Sequence, residues 1–238
     1  MTKRFFFWLI IILFLFGCKK SNPVVNQPKT YLISSIAYVD SSYNTPVVYY
    51  DRFSYDALGR VIVFESTSNS SSFRYTYDNN SKLITMNAYA GNTLAYTDHY
   101  TYIGDTVKVS DEVYSFVLNS QSQVTQIVSM DGTKQHVSYD DKGNIISFDE
   151  CCGVLRTYTF TYDSMKNPLS AAIGQNFHLK FFAKPDMPFK NTNNVLTEPL
   201  LQSSYTYTYN TDGYPVTATI RYAPNNAVRY LKFEYIIK

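Results

Sequence analysis

The chain has 238 residues, 17% of them charged and 17% aromatic, with 23 tyrosines against one tryptophan and a formal net charge of +2. A balance so close to neutral, with no basic stripe, excludes a nucleic-acid partner held through its phosphates. The length after the leader suits a single all-β domain.

Lys3 and Arg4 precede an uninterrupted apolar run from Phe5 to Phe16. The run is twelve residues long, whereas a helix needs about 20 to span a bilayer, so it reads as a signal peptide over 1–17 and not as an anchor. Its end, Leu15-Phe16-Gly17-Cys18, resembles the lipobox of bacterial lipoproteins, with Phe16 bulkier than the usual residue. The resemblance implies cleavage before Cys18 and lipid attachment at that cysteine. Loss of Lys3 and Arg4 would bring the 21 basic residues level with the 19 acidic ones. Residues 18–30, rich in polar side chains and proline, read as a lipidated flexible tether. Lys19 and Lys20 flank the lipid and favour anionic headgroups by about 1 kcal/mol each.

From Tyr31 a tyrosine-aspartate signature recurs. It appears as Tyr55-Asp56-Ala57-Leu58-Gly59, Tyr77-Asp78-Asn79-Asn80-Ser81, Tyr139-Asp140-Asp141-Lys142-Gly143, Tyr162-Asp163-Ser164-Met165-Lys166-Asn167 and Tyr209-Asn210-Thr211-Asp212-Gly213. Asp or Asn accepts a bond from the backbone two residues on, and glycine takes the positive φ that reverses the strand. Other turns lie between the copies, at Ala90-Gly91-Asn92-Thr93, Met130-Asp131-Gly132-Thr133 and Ala223-Pro224-Asn225-Asn226. Between turns, apolar and polar residues alternate, as in Tyr158-Thr159-Phe160-Thr161-Tyr162, Tyr205-Thr206-Tyr207-Thr208-Tyr209 and Leu231-Lys232-Phe233-Glu234-Tyr235. A period of two puts the rings on one strand face.

A strand recurs roughly every 11 residues, the spacing of an all-β barrel or sandwich. The expected fold is an antiparallel up-and-down meander of β-hairpin repeats, as one domain over 31–238, strongly curled or closed into a barrel. Prolines at 185, 188 and 199 interrupt the rhythm between Lys184 and Ser203. A long loop with one short strand near Val195 to Leu200 is expected there.

The signature resembles the Tyr-Asp repeats of the Rhs and teneurin-like proteins, whose strand-turn-strand units coil into a hollow shell. With the lipobox and the Tyr-Thr strands, the chain from Tyr31 to Lys238 also resembles an uncharacterised family of bacterial surface lipoproteins described as having a porin-like fold. That resemblance implies a cell-envelope location, as an outer-membrane lipoprotein, and brings no catalytic residues. A membrane-spanning barrel would need an outward apolar band about 25 Å tall between aromatic girdles. Tyrosines in series beside Arg221 and Lys232 do not make one.

Cys151 and Cys152 are a candidate vicinal thiol pair. Their α-carbons, about 3.8 Å apart, sit below the usual disulfide minimum of about 4.4 Å. A bridge there would be strained and reducible, and a hairpin end with free thiols is the simpler reading. His99, His136 and His178 are isolated from one another, so no metal site is expected. The acidic neighbours Asp111-Glu112, Asp140-Asp141 and Asp149-Glu150 would point to opposite strand faces, which makes them poor acid-base partners. No catalytic or cofactor-binding residues emerge. The expectation is a non-enzymatic, lipid-anchored scaffold that binds a ligand or protein partner without a cofactor, with the membrane as partner through Cys18. The alternatives are a surface glycan-binding module of a nutrient-uptake system, which would use exposed tyrosine faces, and a glycoside hydrolase with unrecognised carboxylates.

Overall fold

The computed structural model describes residues 29–40, 46–110, 114–149, 157–174, 176, 191–199 and 201–238. The chain alternates direction through β1 (Tyr31–Asp40), β2 (Val47–Tyr55), β3 (Val61–Ser66), β4 (Ser71–Tyr77), β5 (Leu83–Ala90) and β6 (Thr93–Ile103). It continues through β7 (Thr106–Val109), β8 (Tyr114–Leu118), β9 (Val124–Ser129), β10 (Lys134–Tyr139), β11 (Ile145–Asp149) and β12 (Thr157–Thr159). After β13 (Thr161–Lys166) comes one helical turn, α1 (Ser170–Ile173), and then β14 (Asn193–Glu198), β15 (Ser203–Tyr209), β16 (Pro215–Tyr222) and β17 (Val228–Ile237).

Strands pair antiparallel with their neighbours in the chain, and β1 pairs with both β2 and β17. β12 and β13 are separated only by Phe160, whose N–H bonds Ile146 O in β11. They therefore act as one wall element, its upper part paired with β11 and its lower part with β14. The result is the expected up-and-down meander, and of the two expected forms, curled or closed, it is a barrel whose ends meet at β1 and β17. Closure removes the exposed edges that an open sheet would leave. The short strand expected near Val195 to Leu200 is β14.

Five turns at one end, the base, are built alike. In each, the first residue's N–H bonds the carbonyl four residues on, and its own carbonyl accepts from the residue three on: Asp56, Asp78, Asn119, Asp140 and Asn210 are the starters. The starter's Oδ1 also accepts two backbone N–H groups, at Leu58 and Arg60 in the first turn and at Asn80 and Lys82 in the second. Each turn is followed by a one-residue register shift, such as Tyr55 opposite Val61 after Ser54 opposite Val63. The bulge pushes Ile62, Ile84, Thr125, Ile146 or Val216 to the outer wall.

One expected turn is not a hairpin. Asp163 lies inside β13, where its carboxylate accepts from Asn194 N and Nδ2, and from the Tyr209 hydroxyl. The strand runs on past it to Lys166. An unexpected turn takes its place in the pattern: Asn119 closes the β8–β9 hairpin with Leu118 where the other copies carry tyrosine and Ser122 where most carry glycine.

Inside and outside differ in polarity. Ile36, Phe64, Met86, Phe116, Ile127 and Phe233 are buried on the inner face and belong to one continuous core. Arg52, Glu65, Arg74, Lys108, Lys232 and Glu234 are exposed on the outer face. A lipid-facing Arg or Lys costs about 2–4 kcal/mol at the bilayer midplane, so these positions favour water over lipid.

The base is closed by a strap. Lys166 N–H bonds Gly213 O, the chain then turns through α1, which packs on β1, and Asn176 reaches the β4–β5 turn on the far side of the ring. Leu169 and Ala172 of the strap are buried.

Candidate functional site

Among the described residues, at least six tyrosine hydroxyls donate to the backbone carbonyl at the base-end start of the preceding wall strand. The pairs are Tyr55 to Ile33, Tyr77 to Val61, Tyr139 to Val124, Tyr162 to Ile145, Tyr207 to Val195 and Tyr235 to Pro215, at 2.5 to 2.9 Å. These latches sit half-buried, and burial raises the phenol pKa of every one. Arg60 of the neighbouring turn covers the Tyr77 ring at 4.7 Å, and Lys82 covers the ring of Tyr102 in β6 at 4.7 Å in the same way. Much of the tyrosine surplus is therefore structural. Stacked pairs such as Tyr38 with Tyr49 and Tyr205 with Tyr207 also lie on the inner face, away from any outward sugar platform.

The base is further fixed by asparagines. Asn176 Oδ1 accepts the Leu83 N–H and Asn191 Oδ1 accepts the Ile145 N–H, each at 3.0 Å, at equivalent positions after their turns. The same position after the Asn210 turn is Pro215, which has no N–H to satisfy. Asn144, 1% exposed, gives both amide hydrogens to Asp140 and Asn193 and accepts the Asn193 N–H. Such a network is stable because its members are satisfied.

The opposite end, the rim, has different chemistry. Parity puts Tyr96, Asp98, Tyr100 and Tyr102 on the inner face of β6, opposite Ala88 and Met86 of β5. Tyr100 is 5% exposed but Tyr96, nearer the rim, is 51% exposed. Burial raises the pKa of both phenols, and the Asp98 carboxylate adds to it.

Across the ring, Arg229 lies over Tyr49 and Tyr222 at 5.6 Å each and pairs with Asp40 at 3.4 Å. Burial pushes Tyr49 up to about 12, with Asp40 adding and Arg229 opposing. Asp51, wholly buried, faces inward opposite Ser66. The interior thus grades from a strapped base, where buried asparagines and phenols are tied to the backbone, to a rim lined with the phenols of Tyr49 and Tyr96, the carboxylates of Asp40 and Asp98 and the Arg229 guanidinium.

Cys18, Cys151, Cys152 and His178 lie outside the described residues, as do Asp111, Glu112 and Glu150. His99 and His136 are both exposed on the outer wall, far apart in the ring, and His136 faces Asp149 at 3.6 Å. Asp140 is a turn starter whose carboxylate serves the backbone. Among the described residues, no three His, Cys, Asp or Glu side chains gather to hold a metal ion. Sequence reasoning did not single out Asp51, Asp98 or Arg229. Parity held the signal, since Asp98 shares the tyrosine face of β6 and Asp51 that of β2.

No family model and no curated protein matches the chain. A porin-like protein from Bacteroides uniformis is similar at 14% identity and a TM-score of 0.36, covering 88% of this chain and 99% of its own. A porin-like protein from Bacteroides vulgatus gives 14%, 0.38, 87% and 99% in the same terms. The Tc holotoxin pore of Photorhabdus luminescens gives 16% identity and a TM-score of 0.26, covering 78% of this chain and 10% of that one.

Proposed function

We propose that the chain is a non-enzymatic, lipid-anchored protein of the bacterial cell envelope whose barrel takes a ligand or protein partner at the rim. The single observation behind the rim is the contrast on β6: on one inner face, Tyr100 is buried while Tyr96 stands half in water. The barrel interior meets solvent there, and phenols beside a carboxylate suit an amphipathic or hydroxyl-rich ligand. The latch hydrogen bonds and the backbone-bonded turn carboxylates give the base a supporting role.

Two measurements test this reading. Palmitate labelling of wild type beside Cys18→Ala examines the anchor, and equal labelling of the two would defeat it. A binding screen of envelope glycans and proteins against the full chain, repeated with Tyr96→Ala, examines the rim. A ligand whose affinity survives Tyr96→Ala but falls on changing the outer-wall residues Tyr50 and Tyr230 would move the site outside and favour the glycan module.

A further inference from the structure

We infer that the base of the barrel, where the Tyr-Asp turns cluster, is the surface that rests on the lipid bilayer, so that the rim points away from it. The inference depends on the lipid anchor proposed above and extends it to an orientation.

The domain is entered at the base. Thr30 and Lys238 exchange backbone hydrogen bonds at 3.0 Å each, which fixes the first residue of the barrel to the last. Tyr31 then donates its hydroxyl to Asp212 of a base turn and stacks on Tyr214 at 4.6 Å, while Leu32 lies 3.7 Å from where a Cβ on Gly59 would be. The chain at Thr30 is thereby held among the base turns. Only the eleven residues Lys19 to Lys29 lie between it and Cys18. Any unstructured chain of that length would span about 20 Å on average and about 40 Å when taut. The lipid therefore keeps the base close to the membrane, and the rim lies farther off by the length of the wall.

The base also carries side chains that suit the place. Leu58 at a turn tip is 74% exposed, Ile103 beside another turn 56%, and the bulge residues Ile84, Ile146 and Val216 are 40%, 39% and 38% exposed. All of these are aliphatic. They alternate around the outer wall with the water-facing residues above them, as a shallow interfacial contact needs. The rim exposes apolar side chains too, with Met130 at 73%. Exposure alone does not choose the end; the short leash does.

The test uses the full lipidated chain in phosphatidylcholine–phosphatidylethanolamine vesicles. A fluorophore placed through Leu58→Cys or Met130→Cys, in a Cys151→Ser, Cys152→Ser background, is quenched by spin-labelled phospholipid. At least threefold stronger quenching at 58 than at 130 is expected. Equal or reversed quenching, in protein that still floats with the vesicles, would overturn the orientation and leave the anchor standing. If wild type floats no better than Cys18→Ala, the anchor reading fails and the orientation with it. Hydrogen exchange on the unsubstituted protein gives a second measure: amides of 57–60 and 103–106 should slow on vesicles while those of 130–133 do not, and the reverse pattern would overturn the inference.

Discussion

At the scale of the residue, each base turn depends on one acceptor oxygen and one positive φ. Asp78 Oδ1 takes the N–H groups of Asn80 and Lys82, at 2.9 and 2.8 Å, and Asn119 Oδ1 takes those of Gln121 and Gln123 in the same way. An amide oxygen serves as well as a carboxylate. Asp78→Asn is therefore expected to leave stability almost unchanged, while Asp78→Ala, which removes the acceptor, lowers it by about 1–2 kcal/mol; urea titration of the two variants separates them. The positive φ discriminates between glycines. Gly143 has φ +86 and a Cβ there would meet Gln123 Nε2 at 3.1 Å and Thr192 Oγ1 at 3.3 Å, whereas at Gly213, with φ +82, the nearest atom is the Met165 methyl at 3.7 Å. Both alanine variants carry the left-handed strain of roughly 1–2 kcal/mol. Gly143→Ala should lose clearly more, because its neighbours stand closer and Gln123, buried and held by the Asn119 amide at its Oε1, has little room to move; a Tm for Gly213→Ala at or below that of Gly143→Ala would contradict this.

At the scale of the element, the repeat is a hairpin of turn, bulge and tyrosine latch, and its legibility depends on how local each part is. Aspartate and glycine spacing announced the turns at 56, 78, 140 and 210, and alternation announced the strands, because both act within a few residues. Asn119 escaped notice because Leu118 stands where the tyrosine signature was sought, although the turn itself needs only the side-chain oxygen. Asp163 misled for the opposite reason. It keeps the motif and Tyr162 keeps its latch to Ile145, but Asn194 bonds the carboxylate from a neighbouring strand and the chain continues into the strap. Partners so distant in sequence leave no periodic trace. The strap is likewise long-range: Asn176 satisfies the Leu83 N–H from 93 positions away. Asn176→Ala would strand that buried donor at a cost of about 1–3 kcal/mol. Its specific signature is faster amide exchange at Leu83 with no change at Ile145, which Asn191 holds independently. Unaltered protection at Leu83 would mean that the strap does not dock there.

At the scale of the whole molecule, closure and the latches make the barrel one cooperative unit with a defined weakness to alkali. The latch tyrosines at 55, 77, 139, 162, 207 and 235 tie β2 to β1, β4 to β3, β10 to β9, β13 to β11, β15 to β14 and β17 to β16 at the base, so the hairpins they join cannot leave without breaking a neighbour's bond. Burial raises each phenol above its ordinary pKa of 10.0. Below pH 10 the phenols are protonated in both the folded and the unfolded chain, and their contribution to stability is complete. Between 10 and the raised values, the unfolded chain releases protons that the barrel still holds. Stability then falls as pH rises, by up to about 1.4 kcal/mol per pH unit for each latch. With several latches acting together, unfolding should be abrupt and should begin only above pH 10. Tyrosinate absorbance and loss of β-sheet circular dichroism should share one midpoint, and Tyr77→Phe should make the transition shallower while lowering stability at neutral pH through the unpaired Val61 carbonyl. If the phenols instead titrate gradually around pH 10 while the sheet signal persists, the hydroxyls are in water and the ring of latches does not hold the barrel together.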